Sequence, residues 1–465
     1  MCGIAGFCNF KEDFEENTDY WNFRLEKMRA VLAHRGNDAR GRYLKKHIGL
    51  SHSRLAIRDI LCGDQPMTRT HNGYEYTICY NGEIYNTDEL IPELSENGFV
   101  CSTTSDTEVI LYAYIHWGAD FVNRLNGIFA FAIWDAAKSR LLLYRDRVGV
   151  KPLFYAIRGD SLVFGSEPKA CFAHPAVKPE LDKQGLQELL AIGPAHTSGL
   201  SLFKDLFEVL PGHFMIYSRD GLHDETYWEL TSREHTESYR DTVAHTRFLV
   251  EDAIKRQMVS DVPVCTFLSG GIDSSIVTAI AANYMNTRGK TLNTFSFDFK
   301  DNDRYFKANA FQPERDLPYV NRMLEEYETA HSYLECDENS LFKALFAAVD
   351  AKDMPGMTDV DSSLLYFCSL VSRKNKVALT GECADEIFGG YPWFHRAEFL
   401  QSGTFPWTPD LAPRKMLLLD EVRESLPMDA FVQEMYDRSV REVTILPGED
   451  EICLLYTSDA ADDKA

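Results

Sequence analysis

Short apolar runs that end at turn residues fill the first half of the chain, a pattern typical of β-strands. The runs are GIAGFC, IGLSHSRLAI, EYTICY, IFAFAIWD, RLLLYRDR, LFYAI, SLVFGS and GHFMIYS. Two stretches instead keep one apolar face at helical spacing, the first through Trp21, Leu25, Met28 and Leu32, the second through Val109, Tyr112, Ile115 and His116. Residues 1–218 are therefore predicted to form an α+β domain with stacked antiparallel sheets.

The pattern changes after a polar, charged segment, residues 219–241, which we predict to be a linker. Beyond it, four strand-like runs and four helix-like runs follow one another: VPVCTFL, SSIVTAIAANYM, TLNTFSFDF, LPYVNRMLEEYE, HSYLEC, SLFKALFAAV, SSLLYFCSLVSRK and KVALTG. Alternating strands and helices are typical of a doubly wound α/β domain with a parallel sheet, whose ligand binds at the carboxyl ends of the strands. We predict such a domain at residues 242–445.

Composition excludes several classes of function. The net charge of -23 disfavours a nucleic-acid binder, because such affinity comes from clustered Lys and Arg. The eleven cysteines show no metal-site spacing and are expected to be reduced. There is no basic signal sequence and no apolar run of the ~18 residues that a membrane helix needs. We therefore expect a cytoplasmic protein without a membrane partner.

The first candidate for chemistry is Cys2, directly behind the initiator methionine. Once Met1 is removed, Cys2 carries both a thiol and the free α-amino group. A thiolate is a nucleophile, and an amine with a reference pKa of about 8 is a base within its reach, so one residue supplies both parts of nucleophilic catalysis. The alternative is an ordinary buried cysteine on the first strand.

The second candidate is YNGEIYN, residues 80–86. Asn-Gly between β-rich runs is by default a tight hairpin turn. In a functional interpretation, the same turn directs the side-chain NH of Asn81 and the backbone NH of Gly82 towards an oxyanion, and Gly82 has no Cβ to obstruct the approach. The two interpretations are compatible.

The third candidate is SGGIDSS, residues 269–275, between an apolar strand and a helical pattern. Several backbone NH groups near a helix start form an anion cradle. The segment lacks the GK[ST] ending of a Walker A loop. The alternative is a helix N-cap cluster of Asp and Ser that binds no ligand.

The fourth candidate is TGECADEIFGGY, residues 380–391, which also follows a strand. Its carboxylates, Glu382, Asp385 and Glu386, lie close to a glycine pair. They are candidates for Mg²⁺, which typically takes one or two carboxylates plus phosphate oxygens. The alternative is a solvated acidic turn.

Together and in this order, the motifs of the chain resemble those of glutamine-dependent asparagine synthetases. The resemblance rests on MCGIAGF, HRGND, SHSRLAI, NGEIYN, SDTE, DRVGVKPL, SGGIDSS and GECADEIFGGY, and it extends to about residue 400. Class II glutamine amidotransferases share the amino-terminal motifs, whereas the last two motifs narrow the match to the asparagine synthetases and their β-lactam synthetase relatives. The resemblance implies an N-terminal nucleophile fold for the first domain.

For that domain, the resemblance implies that mature Cys2 attacks the side-chain amide of glutamine, forms a thioester and releases ammonia. Its own α-amino group would be the base, and Asn81 and Gly82 the oxyanion hole. Arg54 would bind the α-carboxylate and Asp106 the α-ammonium group, so that opposite charges meet at both ends of the ligand. The implied glutamine-binding residues are Arg54, Leu55, Ile57, Asn81, Gly82, Glu83 and Asp106.

For the second domain, the resemblance implies adenylation of aspartate by ATP to β-aspartyl-AMP, which ammonia then converts to asparagine. The implied ATP-binding residues are Phe267, Leu268, Ser269, Gly270, Gly271, Asp273, Ser274, Thr380 and Gly381. Asp273 and Asp385 would serve Mg²⁺, and Glu382 would be a catalytic residue linked to the acyl-adenylate. The resemblance also implies a homodimer through the first domain.

Two of the departures from the family pattern concern the second domain. Cys383 and Ala384 stand where many members have Gly and Ser, which affects the stiffness of the loop more than its charge. Residues 446–465 resemble nothing in the family and are predicted to be a non-family tail. We therefore expect a synthetase domain truncated at its carboxyl end, with apolar surface exposed on one side of its sheet.

Three kinds of function remain open. The first is ATP-dependent asparagine synthesis with glutamine as the amide donor. The second is a glutaminase-competent fragment, another ATP-dependent amidotransferase or a β-lactam synthetase relative. The third is a non-catalytic protein that acts through binding. Release of ammonia from glutamine separates the third from the others, and the acceptor acid consumed with ATP separates an asparagine synthetase from ligases with other acceptors.

Overall fold

A computed structural model describes residues 1–308 and 314–442. Its strands are β1 (Gly3–Asn9), β2 (Ala39–Lys45), β3 (Ile48–Arg54), β4 (Met67–His71), β5 (Tyr74–Ile84), β6 (Gly127–Asp135), β7 (Arg140–Arg145), β8 (Phe154–Arg158), β9 (Ser161–Gly165), β10 (Phe207–Glu208), β11 (His213–Ser218), β12 (Gly221–Thr226), β13 (Val264–Phe267), β14 (Leu292–Phe299), β15 (Thr329–Cys336) and β16 (Val377–Leu379).

The α-helices are α1 (Thr18–Ala30), α2 (Thr87–Glu96), α3 (Asp106–Trp117), α4 (Pro168–Phe172), α5 (Lys183–Gln187), α6 (Tyr239–Gln257), α7 (Ile272–Asn286), α8 (Asn302–Tyr305), α9 (Leu317–Glu326), α10 (Glu338–Lys352), α11 (Thr358–Val371), α12 (Ala384–Phe388), α13 (Ala397–Leu400), α14 (Ala412–Lys415), α15 (Asp420–Ser425) and α16 (Met428–Glu442). Short 3₁₀ turns cover Phe14–Asn17, Ala33–Arg35, Ala119–Arg124 and Pro392–Phe394, and a π turn covers Glu188–Ile192.

The described chain divides into two units. The first unit consists of Met1–Thr231 and Trp407–Glu442, and the second unit of Ser232–Pro406. The segment predicted as a linker, residues 219–241, contains β12 and the first residues of α6. The predicted non-family tail, residues 446–465, lies outside the described residues.

Two six-stranded sheets form the body of the first unit in the described part of the chain. The first sheet has the order β10-β8-β9-β1-β3-β2 and the second the order β12-β11-β7-β6-β5-β4. All of the paired strands run antiparallel. The predicted α+β fold with stacked antiparallel sheets is therefore confirmed.

The sheets and helices of the first unit form four layers. Between the two sheets, Ile4 and Leu50 of the first sheet share a core with Ala132 of the second. On the outer face of the first sheet, residues of β1 and β9 pack with Leu25 and other residues of α1. On the outer face of the second sheet, residues of β5 and β6 pack with Ile110 and other residues of α3. Because β1 is covered on both faces, it is apolar almost without interruption rather than alternating.

The sheet of the second unit is parallel and four-stranded, with the order β15-β14-β13-β16. Val264 and Leu292 pack with Ala281 of α7, whereas Cys265 and Phe295 pack with Val371 at the end of α11. Neighbouring residues of β13 thus enter two different cores, as expected of a sheet that is covered on both faces. The predicted doubly wound α/β domain is confirmed.

The order of the strands marks a ligand-binding position in the second unit. The chain builds β13, β14 and β15 outwards in one direction and then returns to place β16 on the other side of β13. In open α/β sheets, ligands bind at the carboxyl ends of the strands where the order reverses in this way. The segments that follow β13 and β16 are SGGIDSS and TGECADEIFGGY, two of the motifs found in the sequence.

Some large apolar side chains remain exposed on the second unit. Phe342 and Phe346, one turn apart on α10, are each 64% exposed. Among the helices in residues 1–308 and 314–442, none combines the length and the apolar character that a membrane crossing requires.

Candidate active site

Cys2 lies immediately before β1, a strand in the interior of the first sheet. Because Gly3 pairs with Ser53 on β3, Cys2 comes to lie beside Leu55, just beyond the end of β3. The Leu55 N–H donates to the Cys2 sulfur at 3.4 Å, and the thiol lies 3.6 Å from the Leu55 carbonyl oxygen. Arg35 donates to the Cys2 carbonyl oxygen at 2.9 Å, so the backbone of Cys2 is held as well.

Burial disfavours charge on the groups at this end of the chain. It raises the pKa of the Cys2 thiol, which the Leu55 N–H partly offsets. It also lowers the pKa of the Met1 amino group to about 5, and Arg35 and Lys151 add to the decrease. Once Met1 is removed, the amino group in these surroundings is that of Cys2. A neutral amine is the form that accepts a proton.

One pocket contains most of the predicted glutamine-binding residues. Its lining includes Cys2, Arg54, Leu55, Ile57, Gly82, Glu83 and Asp106, all of which the sequence analysis had named. The remaining lining residues are Arg58, Gly63, Gln65, Tyr80, Ser105 and Thr107. The pocket therefore joins a thiol, two guanidinium groups and two carboxylates.

Of the two carboxylates of the pocket, that of Asp106 is buried and that of Glu83 is partly buried. Asp106, at the start of α3, accepts hydrogen bonds from the Tyr80 hydroxyl at 2.9 Å and the Ile84 N–H at 3.1 Å. Burial raises the pKa of Asp106, whereas Arg58 opposes the increase. Burial also raises the pKa of Glu83, and the nearby Asp106 carboxylate adds to it. A cation placed between these carboxylates would offset the cost of charging both.

Asn81 and Gly82 do not form the predicted hairpin turn. They lie within β5, where Asn81 pairs with Ala130 and Gly82 with Phe129 on β6. The prediction was wrong because neighbouring strand pairing overrides the local preference of Asn-Gly for turns. A Cβ on Gly82 would lie 2.3 Å from the Ile128 carbonyl oxygen, so a larger residue does not fit there.

Asn81 carries a donor that the protein leaves unused. The residue is 1% exposed, and its side-chain nitrogen has no hydrogen-bond partner within the described residues. An unpaired buried amide N–H is unfavourable by about 1–3 kcal/mol. Native proteins therefore seldom keep one unless it serves another purpose, such as catalysis. Asn81 is not part of the pocket lining, although its neighbour Gly82 is.

Sequence reasoning gave no role to Lys151, which is near the same site. Lys151 is 6% exposed, and its ammonium nitrogen lies 2.9 Å from the Met1 sulfur. Burial lowers its pKa to about 8, against the effect of Asp146. The Asp146 carboxylate holds the turn by accepting the N–H groups of Val150 and Lys151, both at 3.0 Å. Both Asp146 and Lys151 belong to the motif DRVGVKPL, which the sequence analysis used only for the family resemblance.

Glu108, in the SDTE motif, is a second residue without a predicted role. Its carboxylate accepts hydrogen bonds from the N–H and hydroxyl groups of both Ser102 and Thr103, and from Arg69. Burial would raise the pKa of Glu108, but these bonds lower it to about 2. Glu108 therefore holds the loop that leads into α3 and Asp106.

In the second unit, residues 268–271 connect β13 to α7. Leu268 is 1% exposed and continues the sheet, since its N–H donates to the Phe295 carbonyl oxygen at 2.8 Å. Ser269 is tied to Ser274, whose hydroxyl accepts the Ser269 N–H at 3.2 Å. Gly270 has a φ of +85°, a conformation that favours glycine. The loop thus turns sharply at the carboxyl end of β13.

Gly381 brings the two motifs of the second unit into contact. It follows β16, and a Cβ at this position would lie 2.7 Å from the Ser274 nitrogen and 2.9 Å from the Asp273 Cβ. Only glycine allows so close an approach. Gly381 therefore meets the start of α7 at the point where the strand order reverses.

The carboxylates predicted to serve Mg²⁺ follow these two strand ends. Asp273 lies in the first turn of α7 and Asp385 in the first turn of α12. Glu382, between Gly381 and α12, is exposed. Within the described residues, no group of three or more His, Cys, Asp or Glu side chains forms a metal site. Because Mg²⁺ commonly uses one or two carboxylates together with phosphate oxygens, this donor set fits Mg²⁺ held jointly with a nucleotide.

Comparisons with known proteins match one domain family to each half of the chain. The glutamine amidotransferase domain matches residues 1–228, and the asparagine synthase domain matches residues 245–460. Glutamine-hydrolysing asparagine synthetase 3 of Bacillus subtilis is 47% identical, over 97% of this chain and 72% of its own length.

In two more distant relatives, this chain covers only about three fifths of the relative's own length. Glutamine-hydrolysing asparagine synthetase 1 of Bacillus subtilis is 32% identical, over 84% of this chain and 59% of its own length. An amidase of Penicillium rubens is also 32% identical, over 88% of this chain and 61% of its own length. The two domain matches and the relative that is 47% identical lead to one conclusion: the chain belongs to the family of glutamine-hydrolysing asparagine synthetases.

Proposed function

We propose that this chain makes asparagine from aspartate in an ATP-dependent reaction, with ammonia that its first unit releases from glutamine. The observation that carries the proposal is the pocket of the first unit, where the Cys2 thiol, Arg54 and the buried Asp106 lie together. A thiol beside groups of both charges is complementary to an amino acid that has a reactive side-chain amide. We place the reaction in the cytoplasm, and we propose a homodimer through the first unit.

In the glutaminase step, the Cys2 sulfur attacks the side-chain carbonyl carbon of glutamine, and the α-amino group of Cys2 takes the thiol proton. The carbonyl oxygen becomes an oxyanion, which accepts hydrogen bonds from the Asn81 side chain and the Gly82 N–H. The proton then passes to the leaving nitrogen, so ammonia departs and a thioester remains. Water hydrolyses the thioester to glutamate and restores the thiol.

The charged residues of the pocket orient the substrate for this attack. Arg54 binds the α-carboxylate, while Asp106 and Glu83 receive the α-ammonium group. Because burial raises the pKa of both acids, an incoming cation favours their ionised forms, so the ligand's charge also stabilises the pocket. Leu55 and Ile57 line the pocket beside Cys2 and exclude water from the reacting amide.

In the synthetase step, the loop after β13 binds the phosphates of ATP through the NH groups of Gly270, Gly271 and Ser274 and the hydroxyl of Ser269, and Thr380 and Gly381 contact the nucleotide. Mg²⁺, when bound by Asp273 and Asp385, neutralises phosphate charge. The aspartate β-carboxylate attacks the α-phosphate and releases pyrophosphate, and ammonia then displaces AMP. Glu382 acts on the acyl-adenylate. The reversal of strand order at this loop supports the assignment.

A second candidate differs only in the acceptor. The amidase of Penicillium rubens is 32% identical over 88% of this chain, so a relative with a different name shares most of this sequence. In this alternative, the first unit releases ammonia in the same way, but an acid other than aspartate is activated by ATP. A glutaminase-competent fragment is the limiting case in which no acceptor is activated.

The experiment measures two products from the purified chain. Ammonia release from glutamine is expected in the wild type and in the control Cys101→Ala, whose thiol lies outside the pocket, and it is expected to be absent in Cys2→Ala. Pyrophosphate release with Mg·ATP is expected to require aspartate. Ammonia without pyrophosphate would favour the glutaminase-competent fragment, pyrophosphate with another acid would favour the second candidate, and silence in both assays would contradict the proposal.

A further inference from the structure

Arg54, at the end of β3, is surrounded by the loop that follows it. One terminal nitrogen of its guanidinium group donates to the Ile60 carbonyl oxygen at 3.1 Å and to the Asp64 carboxylate at 3.0 Å. The other donates to the carbonyl oxygens of Arg58 at 3.3 Å and Asp59 at 2.5 Å. Two acceptors for each terminal nitrogen match its two N–H groups, so the loop uses all four of these donors.

The backbone of this loop is built to fit the guanidinium group. A Cβ on Gly63 would lie 2.4 Å from one terminal nitrogen of Arg54, so a larger residue at this position does not fit. Asp59 fixes the loop from the other side, since its carboxylate accepts the N–H groups of Cys62 and Thr104, at 2.9 Å and 2.8 Å. The three backbone carbonyls that bind Arg54 therefore belong to an anchored segment.

Asp64 is different from the other partners of Arg54. Its side chain is 75% exposed, whereas that of Arg54 is 6% exposed. An exposed aspartate rotates away at little cost, but a backbone carbonyl leaves only if the loop refolds. Of the four acceptors, the one from Asp64 is also the only carboxylate, which is the functional group that the α-end of glutamine presents.

We propose that the Asp64 carboxylate competes with the α-carboxylate of glutamine for Arg54 and thereby raises the glutamine concentration that the first unit needs. The proposal rests on the proposed function, because it takes Arg54 as the ligand of the α-carboxylate. Glutamine binding then exchanges one carboxylate for another on the same guanidinium nitrogen, while the three carbonyl contacts remain. Asp64 is thus a specificity-determining residue that acts only on ligands with an α-carboxylate.

The expected change in the KM for glutamine follows from the solvent exposure of the Arg54–Asp64 ion pair. Ion pairs with an exposed partner contribute roughly 0.2–1 kcal/mol, which corresponds to a factor of about 1.4 to 5 in an equilibrium constant. Removing the competitor should therefore lower the KM for glutamine by about 1.4- to 5-fold. The kcat should not change, because Asp64 competes with the α-carboxylate of the ligand and not with its reacting side-chain amide.

The test compares Asp64→Asn and Asp64→Ala with the wild type in the glutaminase assay with the full chain. Both variants are expected to lower the KM for glutamine and leave kcat unchanged. The effect should be larger in Asp64→Ala, because Asp64→Asn keeps a neutral amide oxygen that still accepts a hydrogen bond from Arg54. The matched control is Asp160→Asn, which breaks another exposed ion pair of the first unit, 2.9 Å from Lys11 and remote from the pocket lining. That variant should retain the wild-type KM.

A second substrate separates competition from a general change of the loop. In L-glutamine α-amide, a neutral amide replaces the α-carboxylate, so this ligand forms no ion pair with Arg54 and competes with Asp64 less strongly. The change in kcat/KM caused by Asp64→Asn should therefore be smaller for this substrate than for glutamine. If the substitution instead changed kcat/KM for both substrates by the same factor, Asp64 would act on loop structure and the proposal would be wrong.

The remaining outcomes are also decisive. An unchanged or increased KM for glutamine in both Asp64 variants would overturn the competition, even with full glutaminase activity in the wild type. Absence of ammonia release from the wild type would instead contradict the proposed function, and the two failures are therefore distinguishable.

Discussion

At the scale of single residues, two buried asparagines of the first unit differ in whether their polar groups are used. Asn86 donates to the Arg124 carbonyl oxygen at 3.0 Å and accepts the Asn126 N–H at 2.9 Å. Asn81, in contrast, has a side-chain nitrogen without a partner in residues 1–308 and 314–442. The first arrangement stabilises the fold, whereas the second leaves a donor for the oxyanion that we propose it binds.

This difference predicts opposite effects for two equivalent substitutions. Asn81→Ala should reduce the kcat of glutamine hydrolysis by about 10²- to 10³-fold, as the loss of one oxyanion donor typically does, with little change in KM. Its free energy of unfolding should change little, because no side-chain amide hydrogen bond is lost. Steady-state kinetics and urea unfolding measure the two quantities.

Asn86→Ala is the matched control. It should lower the free energy of unfolding by about 1–3 kcal/mol, since two buried hydrogen bonds lose a partner, and keep the wild-type kcat under native conditions. The assignment of Asn81 would be refuted if both variants lost stability to the same extent and Asn81→Ala kept its kcat.

The predicted site residues that the structure brings into one pocket are those whose chemistry is visible locally. A cysteine at position 2 and an acid at a helix start, Asp106, stand out in the sequence, and the structure brings them together. Lys151 was not given a role, because its position beside the amino terminus depends on a contact across about 150 residues. Long-range approach of this kind has no local sequence signal.

At the scale of secondary-structure elements, the apolar strands and helices were predictable and the charged edge strands were not. β2 has the sequence ARGRYLK, and it forms one edge of the first sheet. β12 lies at one edge of the second sheet and has the sequence GLHDET. Edge strands commonly carry charged residues, so they lack the apolar pattern from which strands are recognised.

The turn that begins α12 contains a residue under backbone strain. Cys383 has a φ of +70°, in the left-handed region. That conformation costs an L-residue about 1–2 kcal/mol, but it costs glycine almost nothing. The backbone at position 383 therefore favours the glycine that the resemblance implies for this position.

Cys383→Gly should consequently stabilise the second unit. We expect a gain of about 0.5–1 kcal/mol in the free energy of unfolding, because the relief of strain exceeds the extra chain entropy of an unfolded glycine. Urea unfolding monitored by the fluorescence of Trp393, which lies in the second unit, reports the change.

Cys368→Gly serves as the matched control for this prediction. Cys368 lies inside α11, where glycine is about 1 kcal/mol less favourable than a good helix former, so this variant should lose stability. Equal destabilisation by both substitutions would show that the left-handed φ at Cys383 carries no strain.

At the scale of the whole molecule, the described chain contains two units that each bury their own core. The first unit has cores between and outside its two antiparallel sheets, and the second has cores on its parallel sheet. The change from runs of strands to alternating strands and helices made this division predictable. The inclusion of Trp407–Glu442 in the first unit was not predictable, because it depends on contacts such as that of Arg414 with the Ala191 carbonyl oxygen.

Because the two units have separate cores, we expect two separate thermal unfolding transitions. A nucleotide bound at the proposed ATP site should raise the midpoint of only one of them. A ligand that binds only the folded state stabilises it by about 2.7 kcal/mol at 100 times its Kd. Mg·ATP without aspartate should therefore raise the midpoint of the second unit's transition and leave that of the first unit unchanged. Calorimetry shows both transitions, and the shift caused by Cys383→Gly identifies the second.

Gly381→Ala tests whether that shift comes from the site at the reversal of strand order. Its added Cβ would meet the Ser274 nitrogen at 2.7 Å and push apart the two loops that are proposed to hold the phosphates. The variant should retain both transitions, with a lower midpoint for the second unit, and should show no upward shift with Mg·ATP. A full shift in this variant, or a shift of the first unit's transition in the wild type, would place the nucleotide elsewhere, since the contact at Gly381 is what joins the motif after β13 to the motif after β16.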